Sequence, residues 1–207
     1  MTTIERLRAE ADGSRVVLGP RLKYLGLTLV LAWHYCLWFV PGSFPSQYLL
    51  DDRITFAWLI ALATGGVTPL LLARWLGRRR HAQATATVVW PVAGAGSAAT
   101  VALTSVGMTA ASPVPAYLAA AVVGTTSGVL WVLWGEGLAL HKARFTLERV
   151  APTYGLAMLV LVGGAYLLPG WGAPVVDALL PLASGALLCA HAHALPSAQY
   201  PRLLPVK

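Results

Sequence analysis

The sequence predicts an all-α membrane protein of six transmembrane helices with both termini in the cytoplasm, and three observations carry that expectation. Six long apolar stretches can be marked off, at 22–40, 54–76, 85–106, 116–140, 150–168 and 175–195. Each is near the ~20 residues that a hydrocarbon core of ~30 Å requires. The gaps between them are too short for a soluble domain, so 22–195 reads as one membrane domain, with a cytoplasmic segment 1–21 before it and a cytoplasmic tail 196–207 after it. Finally, the 15 Lys and Arg residues are sorted into alternate gaps, with Arg53 the exception.

Arg6, Arg8, Arg15, Arg21 and Lys23 precede or open the first stretch, and Arg74, Arg78, Arg79 and Arg80 close the second. Lys142, Arg144 and Arg149 separate the fourth from the fifth, while Arg202 and Lys207 follow the sixth. Basic residues are held in the cytoplasm during insertion, which makes these the topology determinants of a multi-pass protein of the inner, cytoplasmic membrane. The net charge of +7 and pI near 9.9 would also suit a nucleic-acid binder. Placed beside membrane ends, however, the basic residues have anionic headgroups as the nearer partner, and direct nucleic-acid binding by this chain is not expected.

Along the chain, polar residues 1–20 lack the short apolar core of a signal peptide, so the first span is retained. Its Trp33, Tyr35, Trp38 and Phe39 lie toward the Pro41-Gly42 end, where aromatics suit the outer interface. Cys36 and Cys189 fall within spans and read as small packing residues. The second span ends in Trp75, Gly77 and the arginine run. The third is small in its middle, from Gly94 through Gly96 to Ala99, which predicts close backbone contact and a central place in the bundle. The fourth carries Gly124 and Gly128 in GxxxG spacing, then Trp131, Trp134, Gly135 and Glu136. The fifth contains Gly163-Gly164 and stops at Pro169-Gly170. The sixth begins near Asp177, expected to be hydrated, and ends at His191 and His193. Pro91 and Pro181 suggest bends.

Glu136 is the leading functional candidate, because an ionisable group within a span is costly and tends to face a cavity. It stands about four residues from the inner end, where snorkelling into water is the alternative. Thr125, Val129, Val132 and Glu136 share one helical face; Gly124, Gly128, Trp131 and Gly135 form the adjacent one. Ligand or coupling candidates are thus Glu136, Trp131, Trp134, Thr125 and His34; helix-packing candidates are Gly94, Gly96, Gly124, Gly128 and Gly135. His191 and His193 are two apart and point to different faces, so no metal is expected, nor any other cofactor.

Thr125-Thr126-Ser127-Gly128 on span four, with His191 on span six, is similar to the Gly-x-Ser-Gly and histidine arrangement of rhomboid proteases. It departs from that pattern at Thr125, in its short first outer loop and in the unequal depths of serine and histidine, and catalysis is not expected. As a block, the six spans resemble half of a major facilitator transporter, with two three-helix inverted repeats. Gly77-Arg78-Arg79-Arg80 resembles the end of that superfamily's loop motif, although Arg74 replaces its acidic residue and Leu70 its first glycine. Leu25-Gly26, Trp33-His34-Tyr35-Cys36-Leu37 and Trp134-Gly135-Glu136 resemble the membrane-embedded regions of bacterial LuxR-type regulators.

That second resemblance implies a transporter-like sensory module that binds a small molecule at a midplane pocket between the repeats. This chain has no helix-turn-helix segment of its own, and reads as a truncated or split member. Two other readings remain open. A half-size transporter would work as a homodimer or with a second six-span half, although the scarcity of buried charge argues against ion coupling. A non-catalytic assembly subunit would use the Gly- and Ala-rich faces of spans three and four.

Overall fold

Backbone N–H and C=O groups without access to water must bond within their own segment, so apolar stretches of this length form helices. The computed structural model describes residues 25–43, 51–76, 86–107, 111–139, 151–168 and 170–194, and among them the regular structure is helical. Six α-helices follow the six apolar stretches: α1 (Leu25–Phe39), α2 (Asp52–Leu76), α3 (Ala86–Val101), α4 (Val114–Ala139), α5 (Ala151–Leu167) and α6 (Gly172–Ala194). A 3₁₀ turn, Pro41–Ser43, follows α1, and α3 runs on into a π-helical segment, Ala102–Gly107. Among the described residues, α2, α3 together with its π-helical continuation, α4 and α6 are long and apolar enough to cross a membrane; α1 and α5 are apolar but shorter. Both terminal segments, Arg78, Arg79, Arg80, Lys142, Arg144 and Arg149 lie outside the described residues. Arg74 is exposed on the last turn of α2.

Local chemistry sets the helix ends. Asp51 Oδ1 accepts the Arg53 N–H at 2.8 Å, an N-terminal cap that starts α2. Pro41 cannot continue α1, and its turn brings Ser43 back over the last carbonyls of that helix. Gly170, at φ +56°, takes a left-handed conformation that lets the chain reverse tightly between α5 and α6.

Helices that are apolar all round have no polar face to keep outward, so shape decides the packing. The most extensive contact joins α2 to α4; α4 also packs on α3, α3 on α6, α6 on α1, and α1 on α5. A smaller α1 to α4 contact closes a ring of α1, α4, α3 and α6, with α2 and α5 outside it. Of the four long helices α4 is the most enclosed, whereas α3, expected to be central, is less so. Leu59, Leu62, Leu70 and Leu71 of α2 and Leu156, Leu159 and Leu167 of α5 are exposed. Apolar surface on that scale is not left to water.

The α2 to α4 seam is a backbone contact. A Cβ on Gly124 would lie 2.1 Å from both the Ala61 carbonyl oxygen and Thr64 Oγ1, and one on Gly128 would lie 2.8 Å from Thr68 Cβ. Ala61, Gly65 and Thr68, at helical spacing on α2, complete the small-residue interface. Pro69 lacks an N–H and so leaves the Gly65 carbonyl without its helical donor; that oxygen would stand 2.9 Å from a Cβ on Gly128. Gly96 is equally tight, its notional Cβ 2.7 Å from Thr126 Cγ2 and 2.9 Å from Trp33. Gly94 and Gly135 differ from expectation, since each faces open space. Helix rotation turned them away.

Replacing Gly124 by Ala therefore costs about 1–3 kcal/mol of stability through overpacking. Gly94→Ala stays within about 0.5 kcal/mol. Thermal unfolding of the two variants in detergent checks the contrast.

Candidate functional site

Small residues on α2 leave room beside α4. The result is an open cavity of about 530 Å³. α2 supplies Ala61, Leu62, Gly65, Gly66 and Pro69, α4 supplies Ser127, Trp131 and Val132, and α1 supplies His34. The lining is mostly apolar with one convergent polar pair, the usual make-up of a small-molecule site.

That pair joins two helices. His34 Nε2 lies 3.3 Å from Ser127 Oγ, which also reaches the Gly124 carbonyl at 3.2 Å. Either tautomer of the imidazole satisfies one nitrogen there, and Nδ1 is buried with no partner among the described residues. The Trp33 ring packs edge-on against the imidazole, with centroids 5.5 Å apart. Ser127 sits in mid-helix, where neighbouring N–H groups are committed to helical bonds and offer no oxyanion donors. The arrangement suits hydrogen bonding to a bound molecule.

Sequence reasoning paired Ser127 with His191; the structure sets it beside His34, while the His191 and His193 side chains lie outside those described. Trp131 lines the cavity and is 40% exposed. Trp134 does not: it is fully buried, and its Nε1–H donates to Ser184 Oγ at 3.0 Å. Ser184 in turn donates to the Gly26 carbonyl at 2.8 Å. The Trp134 ring covers Gly26, where a Cβ would fall 1.8 Å from Cζ2. Thr125 points away, exposed on α4, while Thr126 and Ser127 are buried. Glu136 is half-buried one turn beyond Val132 and outside the cavity lining.

A second anchor resembles the first. Trp33 Nε1–H donates to Thr100 Oγ1 at 2.9 Å, and Thr100 donates to the Gly96 carbonyl at 2.8 Å, with the indole over Gly96. Ser97 donates to the Ala178 carbonyl at 2.6 Å, tying α3 to α6 in the turn before Pro181.

Asp177 is the largest departure from expectation. It is completely buried rather than hydrated, at the end of the bundle where α1 stops and α6 begins. Its Oδ2 lies 2.5 Å from Ser43 Oγ, which lies 2.9 Å from the Cys36 carbonyl oxygen. Oδ1 has no partner among the described residues. Neither Ser43 nor Ser184 carries a sequence signal, because each meets its partner only through the fold.

No protein-family model matches the chain, and no curated protein or solved structure matches it.

Trp134→Phe removes the donor above Ser184 and part of a buried ring, and costs about 2–4 kcal/mol. At half-exposed Trp131 the same change costs under about 1 kcal/mol. Comparing the two melting curves separates the anchor from the cavity wall.

Proposed function

We propose that this chain is a six-span protein of the inner membrane, termini cytoplasmic, that acts as a transporter-like sensory module and binds a small molecule in the cavity between α1, α2 and α4. The observation that carries this reading is the His34 and Ser127 pair, presented on an otherwise apolar wall of glycine, proline and tryptophan. A compact, largely apolar molecule with one hydrogen-bonding group fits that chemistry. Entry is sideways, from the lipid.

The six-span count rests on charge sorting together with α1 and α5, whose apolar 15 and 17 residues run alongside the longer helices. A pair of three-helix repeats is supported by the packing pattern. Exchanging α1 with α4, α2 with α5 and α3 with α6 turns the α2 to α4 contact into α5 to α1, and α3 to α4 into α6 to α1. In each half, moreover, a tryptophan of the first helix donates to a hydroxyl of the third, Trp33 to Thr100 and Trp134 to Ser184. Inverted repeats of this kind are a transporter architecture. A sensor keeps the site and dispenses with a continuous pathway, which suits a single half. The half-size transporter needs a second copy, and the assembly subunit leaves the His34 and Ser127 pair without a task.

Gly66 lines the cavity and has nothing within 4 Å of an added Cβ, so Gly66→Leu projects a side chain into the site. Thermal unfolding of the purified chain against a library of small apolar alcohols, amides and acids should find compounds that raise the melting temperature by mass action. Those shifts should vanish in Gly66→Leu, weaken in Ser127→Ala and persist in Glu136→Gln. Equal stabilisation of wild type and Gly66→Leu would sink the proposal.

A further inference from the structure

The Ser43 hydroxyl has one proton and two close oxygen neighbours. One, the Cys36 carbonyl at 2.9 Å, can only accept; the other is Asp177 Oδ2 at 2.5 Å. If Asp177 is a carboxylate, two acceptor oxygens compete for the single Ser43 hydrogen, and only one of the contacts can be a full hydrogen bond. If Asp177 carries a proton, the count closes. Its O–H donates to Ser43 Oγ, and Ser43 donates to the Cys36 carbonyl, which also receives the Val40 N–H at 3.2 Å.

Burial points the same way. Asp177 is completely enclosed, and Oδ1 is without a donor among the described residues. A carboxylate held away from water without a cation or donors is expensive. Among the described residues, the groups around it supply no compensating charge. On α1 the Cys36 thiol is the titratable group within electrostatic reach of Asp177. α3 places Ser97 beside it, bonded to Ala178, and has no ionisable side chain along Ala86–Val101. From α5, Tyr166 donates to the Phe39 carbonyl at 2.9 Å. Arg53, at the start of α2, pairs with Asp51 at 3.6 Å.

We propose that Asp177 is a proton-binding site, a neutral carboxylic acid whose proton completes a hydrogen-bonded latch from α6 through Ser43 to the end of α1. When the proton leaves for water, the carboxylate and the Cys36 carbonyl compete for the one Ser43 hydrogen, so the latch loses a bond and gains a buried charge. Cys36 stands two residues from His34, on the same helix as the cavity wall, which couples the outer end of α1 to acidity.

The test uses the full chain reconstituted in liposomes. Infrared spectra at neutral pH should show the carbonyl stretch of one protonated carboxyl per chain, lost in Asp177→Asn and shifted in frequency in Ser43→Ala. Asparagine keeps a donor to Ser43, and that variant should fold. If Asp177→Asn does not fold, the Ser43→Ala frequency shift in otherwise wild-type protein decides. Absence of a protonated band at neutral pH overturns the proposal. So does a carboxylate band with stabilisation by Na⁺ over K⁺, which would make the site a cation site.

Discussion

Three helices meet where the indole of Trp134 lies on Gly26. The ring needs a neighbour without a side chain, and its N–H needs an acceptor away from water; Gly26 of α1 meets the first need and Ser184 of α6 the second. Ser184 then returns its own hydrogen to the Gly26 carbonyl, so one serine serves both partners. An unpaired indole N–H in an apolar interior would cost several times what a water-exposed one does. The distance between α1 and α4 is fixed at that end by the thickness of a ring. Everything on the far side of α4, including the cavity, is placed by the same constraint.

Trp33 repeats the device with Gly96 and Thr100, and the pair of anchors leaves α2 to be held by other means. It is held by bare backbone, through Gly124 and Gly128 against Ala61, Gly65 and Thr68. Close approach along this seam gives dispersion contact that lipid cannot match, since lipid tails are as apolar as the side chains themselves. The seam's small residues are also the cavity's floor. Packing and cavity lining thus come from one composition, and His34 reaches the cavity from α1, whose position the Trp134 anchor fixes.

The positions of the helices were legible in the sequence, because the length of an apolar stretch is a direct consequence of what its backbone must satisfy. Five of the six helices lie within three residues of the expected bounds at each end, and α3 does so once its π-helical continuation to Gly107 is counted. Their rotations were not. Gly94 and Gly96 stand two apart, yet one is open and the other pinned under Trp33. Thr125 and Ser127 likewise fall on opposite sides of α4. A helix that is apolar all round offers no face from which rotation can be read. The GxxxG spacing of Gly124 and Gly128 announced a contact without naming α2 as its partner. Asp177 was misread for a different reason, since its hydrogen-bond partner Ser43 is 134 residues away in the chain and sits in a turn that gives no pattern. Glu136 drew attention as a charge in a span, while the polar atoms that converge are those of a histidine and a serine on different helices.

The contact pattern also has a bearing on biogenesis. Helix α1 is made before the other described helices, but its broadest partner is α6, made after them, and its other large neighbour is α5. During synthesis α1 therefore waits in the bilayer with the Trp33 indole and His34 unmet by their later partners. Thr100 arrives with α3 and Ser127 with α4, and only α6 brings Ser184 and Asp177. The ring closes in one late step, and a chain stalled before α6 presents polar atoms to lipid, the feature by which a membrane quality-control protease can tell an unfinished protein from a finished one.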